Sequence, residues 1–256
     1  MKTIGILYVG IGAYIRFWDD FYATCERFFC PNSKKHYYVV TDSAVEEKAN
    51  VTTIHQDNLG WPGNVVFRYL FFLRIKDMLK EYDYLFFFNG NTRFRATISE
   101  EEFPPTEEEG GLISLTWKTG TEDPDTYKFE RRPKSAAYIP YGTKGIYLQS
   151  GMTGGITKHY FELLQTCHDM TMTDFNNGII PVWHDESIYN KYMINRKSKL
   201  LTSEYGRPLQ RDKKHTAKIV FHRKEDILGR SWLRHYKGRE HTNTWFRKLL
   251  HKIGLT

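Results

Sequence analysis

Five consecutive large apolar residues, Tyr84, Leu85, Phe86, Phe87 and Phe88, run directly into Asn89, Gly90 and Asn91. In a pleated strand alternate side chains point to opposite faces, so an unbroken apolar run needs cover on both. A sheet with helices packed on each side supplies that cover, which constrains the fold to the α/β class. Ligands of such sheets collect beyond the carboxyl ends of the strands, where the polar triplet Asn89, Gly90 and Asn91 falls.

The rest of the chain is consistent with this reading. Residues 3–9 are β-branched and aromatic and end at Gly10 and Gly12, as a buried strand entering a turn does. Phe17, Phe21, Ala23 and Phe28 recur at helical spacing over 14–29 until Cys30, Pro31 and Asn32 stop the pattern. Residues 36–41 then give a second strand, completing a βαβ unit. A broad apolar stripe predicts one helix over 64–80. Further on, 111–117 reads as a strand, and 157–167 and 185–194 as helices. Residues 151–155 read as a glycine loop where backbone approaches something bulky, and the glutamate-rich 99–109 as a solvated loop. With 256 residues and no internal repeat or linker, the expectation is a single domain spanning 1–256 with a basic C-terminal tail from about 198.

Composition narrows the function classes. At 40% hydrophobic and 26% charged residues the chain is neither disordered nor collagen-like. It has no apolar run of the roughly 20 residues that cross a bilayer and no signal-peptide pattern, so a cytoplasmic protein without a transmembrane segment is expected. Cys25, Cys30 and Cys167 lack metal or disulfide spacing and read as buried free thiols. The net charge of +7 is uneven: residues 191–256 hold 18 Lys+Arg against 5 Asp+Glu. That basic stretch favours an anionic partner, whether a nucleotide diphosphate, a peripheral membrane contact or nucleic acid, and composition does not choose among them. No recognisable nucleic-acid-binding motif accompanies it.

Several segments carry candidate chemistry. Gly10 and Gly12 follow the first strand without G-x-G-x-x-G spacing, yet they let a base or ribose approach, and Tyr14 could stack on a base. Asn89 and Asn91 offer amides at the ligand edge. A divalent cation on a diphosphate normally wants an anionic protein ligand, so a nucleotide site here is expected to need no metal. Trp183, His184, Asp185, Glu186 and Ser187 place an aromatic, an imidazole and two carboxylates at a helix start. Two readings stay open there: a helix cap, or sugar chemistry in which the indole packs on a sugar face and a carboxylate stabilises or attacks an oxocarbenium-like centre. Lys224 and Arg230 fit either a solvated surface or a pair closing on a diphosphate. His159, His168, His222 and His235 show no zinc-ligand spacing.

In order along the chain, Phe129 to Pro140, then Gly154 and Gly155, then Trp183 to Ser187, then Asn190, Lys191 and Tyr192 resemble the signatures of glycosyltransferase family 6, which includes the ABO blood-group and α-1,3-galactosyltransferases and bacterial relatives. The resemblance runs from about residue 3 to residue 204. It implies the GT-A fold, a Rossmann-like mixed sheet flanked by helices, and retaining transfer of N-acetylgalactosamine or galactose from a UDP-sugar. By that resemblance Val9, Gly10 and Tyr14 contact uridine and Arg68 holds UDP and the sugar. Asn89 and Asn91 occupy the metal-binding Asp-x-Asp positions, a departure shared by metal-independent bacterial members, so the cofactor expectation is none.

Gln149, Ser150 and Gly151 fall where donor specificity is set, and the small Gly151 leaves room for an acetamido group. The resemblance further implies that Asp185 bonds the donor sugar, Glu186 is the catalytic carboxylate, and Lys224 and Arg230 close over the diphosphate. Trp183, with His184, would face the acceptor. Thr116, Trp117 and Lys118 stand where relatives have a His-Pro-Gly acceptor segment, so Trp117 joins the acceptor candidates, and the acceptor is a galactoside or fucosylated galactoside. The alternatives are a catalytically inactive UDP-sugar- or glycan-binding relative and a nucleic-acid-binding protein.

Overall fold

A computed structural model describes residues 1–231. In chain order the elements are β1 (Thr3–Val9), α1 (Trp18–Phe28), β2 (Lys34–Thr41), β3 (Val51–His55), α2 (Gly63–Val66), α3 (Arg68–Leu73), α4 (Lys76–Leu79), β4 (Tyr84–Phe88), β5 (Thr92–Phe94), β6 (Leu112–Leu115), β7 (Gln149–Ile156), α5 (Thr157–Asn176), α6 (Asp185–Met193), β8 (Lys199–Leu201), β9 (Arg207–Pro208), β10 (Ile219–Phe221) and α7 (Lys224–Leu228). A mixed sheet runs in the order β3-β2-β1-β4-β7-β6-β8, and a small sheet, β5-β10-β9, stands beside it. The strands from β3 to β4 are parallel, and β7 is antiparallel to both β4 and β6.

The apolar run is the centre of this sheet. Leu85 and Phe87 enter a core with Tyr69, Phe72, Tyr160 and Leu164, contributed by α3 and α5. Phe86 and Phe88 enter a second core with Trp18, Phe21 and Cys25 of α1. The alternation of a single strand thus feeds both faces, which is why no polar residue is tolerated before Asn89. All three cysteines are free and buried. No helix among the described residues is long and apolar enough to cross a membrane.

Four local expectations are corrected. Residues 151–155 are not a loop but the middle of β7. Their glycines do answer a close approach, because a Cβ on Gly154 would lie 2.3 Å from the Leu85 carbonyl oxygen and one on Gly155 2.1 Å from that of Gly111. The helix expected over 64–80 is broken into α2, α3 and α4 where Phe67 and Ile75 leave helical geometry, with ψ of 11° and 18°. Phe67, Arg68, Tyr69, Phe71 and Phe72 are all buried, more of the circumference than a straight surface helix covers. Helix α5 extends past 167 to Asn176. The loop 99–109 is not wholly solvated, since Phe103 is fully buried against Phe29 and Phe86.

The basic stretch from 198 is partly built into the fold. Strand β8 forms the edge of the large sheet, and β10 pairs with β9 on one side and β5 on the other. Residues 232–256, the remainder of the expected tail, lie outside the described residues.

Candidate active site

Two clefts meet beyond the carboxyl ends of β1 and β4. The first is lined by Val9, Tyr14, Trp61, Arg68, Asn89 and Lys224, among others. Its wall is tied together by the buried Tyr8 hydroxyl, which donates to the Gly90 carbonyl at 3.2 Å. Burial pushes the Tyr14 phenol up to about 12. Lys224, at the start of α7, has its ammonium 5.4 Å from the centre of the Tyr14 ring. Burial lowers its pKa, and the charges of Asp185 and Glu225 oppose that shift.

The second cleft, about 300 Å³, is lined by Asn89, Trp117, Gln149, Ser150, Gly151 and Glu186, with Asn91, His222 and Lys224 at its other side. Asn89 and Lys224 therefore belong to both clefts. Helix α6 presents Glu186 from its first turn, where a carboxylate favours the helix dipole. The Tyr147 hydroxyl donates to Glu186 Oε1 at 2.7 Å, and the Ser150 amide donates to Oε2 at 2.9 Å. Burial raises the Glu186 carboxyl above its ordinary range, while these donors pull it back. One residue earlier, Asp185 is only 4% exposed and sets its Oδ2 2.8 Å from Arg68 Nη2. The contact is electrostatic, for neither atom has a hydrogen-bond partner among the described residues. Arg68 is equally buried and lies over the Phe87 ring at 4.4 Å. Burial pushes the Asp185 carboxyl up, and the guanidinium charge partly reverses this.

The two asparagines are not equivalent. Asn89 lines both clefts, whereas Asn91 is buried and donates its side-chain amide to the His222 carbonyl at 2.8 Å, with the His222 amide donating back to the Asn91 carbonyl at 2.8 Å. The His222 ring is in turn 2.9 Å from Asp20. Asn91 Oδ1 is buried without a hydrogen-bond partner among the described residues, a single neutral oxygen and a poor anchor for a hard divalent cation. No group of three or more His, Cys, Asp or Glu side chains is gathered among the described residues in a way that could hold a metal ion.

Of the residues read from sequence, Val9, Tyr14, Arg68, Asn89, Asn91, Trp117, Gln149, Ser150, Gly151, Glu186 and Lys224 line one cleft or both. Gly10 is buried beneath them, where a Cβ would press to 2.7 Å on the Tyr8 ring. Asp185 pairs with Arg68 and lines neither cleft. Trp183 is 42% exposed, with Lys128 Nζ 5.6 Å from its ring, and His184 packs edge-on against Trp61 at 4.7 Å. Arg230 is exposed and lines neither cleft. Trp117, 38% exposed, is anchored through its indole N–H on the Gly206 carbonyl.

The sequence did not single out Tyr147 as a site residue, nor Asn190 as a structural one. Asn190 bridges Leu148 and Glu186 by accepting from the Leu148 amide and donating to the Leu148 and Glu186 carbonyls, each at 2.8–2.9 Å. No local periodicity marks either residue. Trp61 had a usable signal, an indole inside the turn-forming segment from Asn58 to Pro62.

Residues 69–226 match the family model for glycosyltransferase family 6. Over 228 residues the chain is 36% identical to the O-antigen biosynthesis glycosyltransferase WbnI of Escherichia coli, covering 87% of this chain and 95% of that protein. Over 222 residues it is 30% identical to histo-blood group ABO system transferase 1 of Rattus norvegicus, covering 79% of this chain and 60% of the rat protein. Against the globoside alpha-1,3-N-acetylgalactosaminyltransferase 1 of Homo sapiens it is 26% identical over 215 residues, again spanning 60% of the relative's length.

Proposed function

The chain belongs to glycosyltransferase family 6, and from that premise we propose that it moves N-acetylgalactosamine, or galactose, from a UDP-sugar to the 3-hydroxyl of a galactoside, with retention and without a metal ion. The observation that carries this reading is the placement of Glu186 in a cleft that shares Asn89 and Lys224 with its neighbour. UDP occupies the first cleft, with uridine against Val9, Gly10 and Tyr14. The transferred sugar sits between Asn89, Gly151 and Glu186, and the acceptor enters past Trp117, with Trp183 and His184 on its outer side.

Departure of UDP leaves negative charge on the diphosphate. Lys224 at the junction of the clefts and Arg68 beneath it place two cations there, the office a metal would otherwise fill. Arg230, six residues after Lys224, would add a third when the segment closes over the diphosphate. Asp185 acts through Arg68, which it holds in place. Glu186 faces the anomeric carbon and either stabilises its developing positive charge or attacks it to form a glycosyl-enzyme that the acceptor then displaces. The Tyr147 and Ser150 donors fix the carboxylate in the orientation either route needs.

The relatives' printed names include an α-1,3-N-acetylgalactosaminyltransferase, and Gly151 supports that donor here. A Cβ at Gly151 would meet Asn89 Nδ2 at 3.4 Å and the Phe221 ring at 3.5 Å, ordinary contacts that a folded chain accepts. Gly151→Ala is therefore expected to keep the melting temperature while narrowing the sugar subsite by one methyl. Its kcat/KM ratio for UDP-galactose over UDP-N-acetylgalactosamine should rise about tenfold. An unchanged ratio would remove Gly151 from donor selection.

The metal-free reaction is tested by UDP release from either donor, with lactose, 2'-fucosyllactose or no acceptor, in the presence and absence of EDTA. Acceptor-dependent release that persists in EDTA is the expected result. Release abolished by EDTA and restored by Mn2+ would overturn the metal-free proposal. UDP-sugar binding without turnover on any acceptor would instead indicate an inactive relative.

A further inference from the structure

The segment from Phe129 to Pro140 lines neither cleft and has no place in the reaction described so far, yet its Glu130 and Arg132 are densely hydrogen-bonded. Glu130 is 1% exposed. Its Oε1 accepts from the Arg132 amide at 2.9 Å and from Arg132 Nε at 2.8 Å, and its Oε2 accepts from Arg132 Nη2 at 2.7 Å and from the Val182 amide at 2.8 Å. Arg132 Nη2 also donates to the Ile180 carbonyl at 2.6 Å. Five residues on, the same segment grips the end of α5, where buried Asp174 accepts from the Ser135 hydroxyl and the Ala136 amide, each at 2.6 Å. Burial favours the neutral Glu130 carboxyl, but its donors outweigh that and hold it below the ordinary range, as a carboxylate.

What these contacts bracket is the connection from α5 to α6. Its last residue, His184, has φ 54° and ψ −125°, a conformation that glycine adopts freely and a histidine only under constraint. Directly after it come Asp185 and Glu186. A relaxed His184 would rotate the start of α6 and swing both carboxylates, a motion that the Tyr69 hydroxyl on the Asp185 carbonyl and the Trp183 amide on Ser187 Oγ also resist.

We infer that Glu130 and Arg132 are positioning residues for the transfer reaction: their bonds to Ile180 and Val182 hold the turn before α6 so that constrained His184 delivers Glu186 to the cleft. The inference rests on the proposed role of Glu186. Neither residue touches the substrate. The pair acts on the angle at which the carboxylate is presented.

The test uses the full chain with UDP-N-acetylgalactosamine and with UDP-galactose on lactose, and expresses kcat per UDP-binding site counted by calorimetric titration, so that unfolded molecules drop out. Glu130→Gln is expected to lower that kcat at least tenfold, with UDP affinity within about twofold of the parent. Arg132→Lys, a milder change at a half-exposed side chain, keeps the charge but loses the two-pronged contact, and is expected to lower kcat about threefold. Should Glu130→Gln fail to fold, Arg132→Lys carries the test alone. A second readout separates positioning from general stability. In the Glu130→Gln background, His184→Gly should recover part of the lost kcat, because glycine holds the turn conformation without the clamp, although the same change in the parent lowers activity. Unchanged kcat per UDP site in both clamp variants, or simple multiplication of the Glu130→Gln and His184→Gly losses, overturns the inference. A parent that binds UDP yet turns over neither donor defeats the transferase reading itself and the inference with it, whereas an active parent beside unaffected variants defeats the inference alone.

Discussion

Glu186→Gln is expected to lower kcat by about 100- to 1,000-fold while changing UDP affinity less than about threefold. The substitution conserves shape, so an amide can still accept from Ser150 and stay near the Tyr147 hydroxyl. Only the charge is removed. In either route proposed above that charge would act in the transition state, as a nucleophile or as the partner of an oxocarbenium-like carbon, and would contribute little to the bound nucleotide. The cleft proposed to take UDP is lined by Val9, Tyr14, Arg68 and Lys224, on other elements. Single-turnover UDP release and calorimetric UDP binding measure the two effects separately. Losses of similar size in both would mean that Glu186 shapes the donor cleft rather than the reaction, and unchanged turnover would remove it from the mechanism.

How legible the site was in the sequence depended on whether its physics was local. Strand β4 was readable because burial on both faces forbids polar residues over its whole length, and the site at its end followed from topology. The pair Asp185 and Glu186 was readable because two acidic residues at a helix start after an indole form a short pattern. Strand β3 was missed: Val51–His55 is a sheet edge, half-buried or exposed along its length, so it lacks the apolar signal of β4. Tyr147 was missed for a different reason. Its bond to Glu186 spans 39 residues and exists only because β7 and α6 are brought side by side, partly by Asn190. Likewise the breaks at Phe67 and Ile75 reflect what surrounds the helix, while the apolar stripe over 64–80 is continuous. Even a resemblance at family level carries residue roles without their geometry. It assigns Asp185 to the donor sugar, and the fold adds what the family pattern does not carry, a 2.8 Å ion pair of that carboxylate with Arg68.

The Arg68–Asp185 pair sets the largest expected stability effects, and they are unequal. Asp185→Asn should destabilise the fold by about 3–5 kcal/mol, because it strands a buried guanidinium that cannot discharge by losing a proton. Arg68→Met leaves the opposite orphan, a carboxyl that burial already pushes above its ordinary range and that escapes the penalty by becoming protonated. Without the guanidinium its folded-state pKa rises further above the unfolded value of about 3.9. A raised carboxyl pKa gives stability that is complete below the unfolded value and disappears as pH climbs through the folded one. The Arg68→Met deficit should therefore be small near about pH 5 and grow towards pH 8, whereas the Asp185→Asn deficit should stay nearly flat over the same range. Urea unfolding of both variants and the parent at the two pH values measures this. A pH-independent deficit in Arg68→Met, or a milder deficit in Asp185→Asn than in Arg68→Met at pH 5, would show that the two charges are not the buried, mutually dependent pair on which the placement of Arg68 under the donor cleft relies.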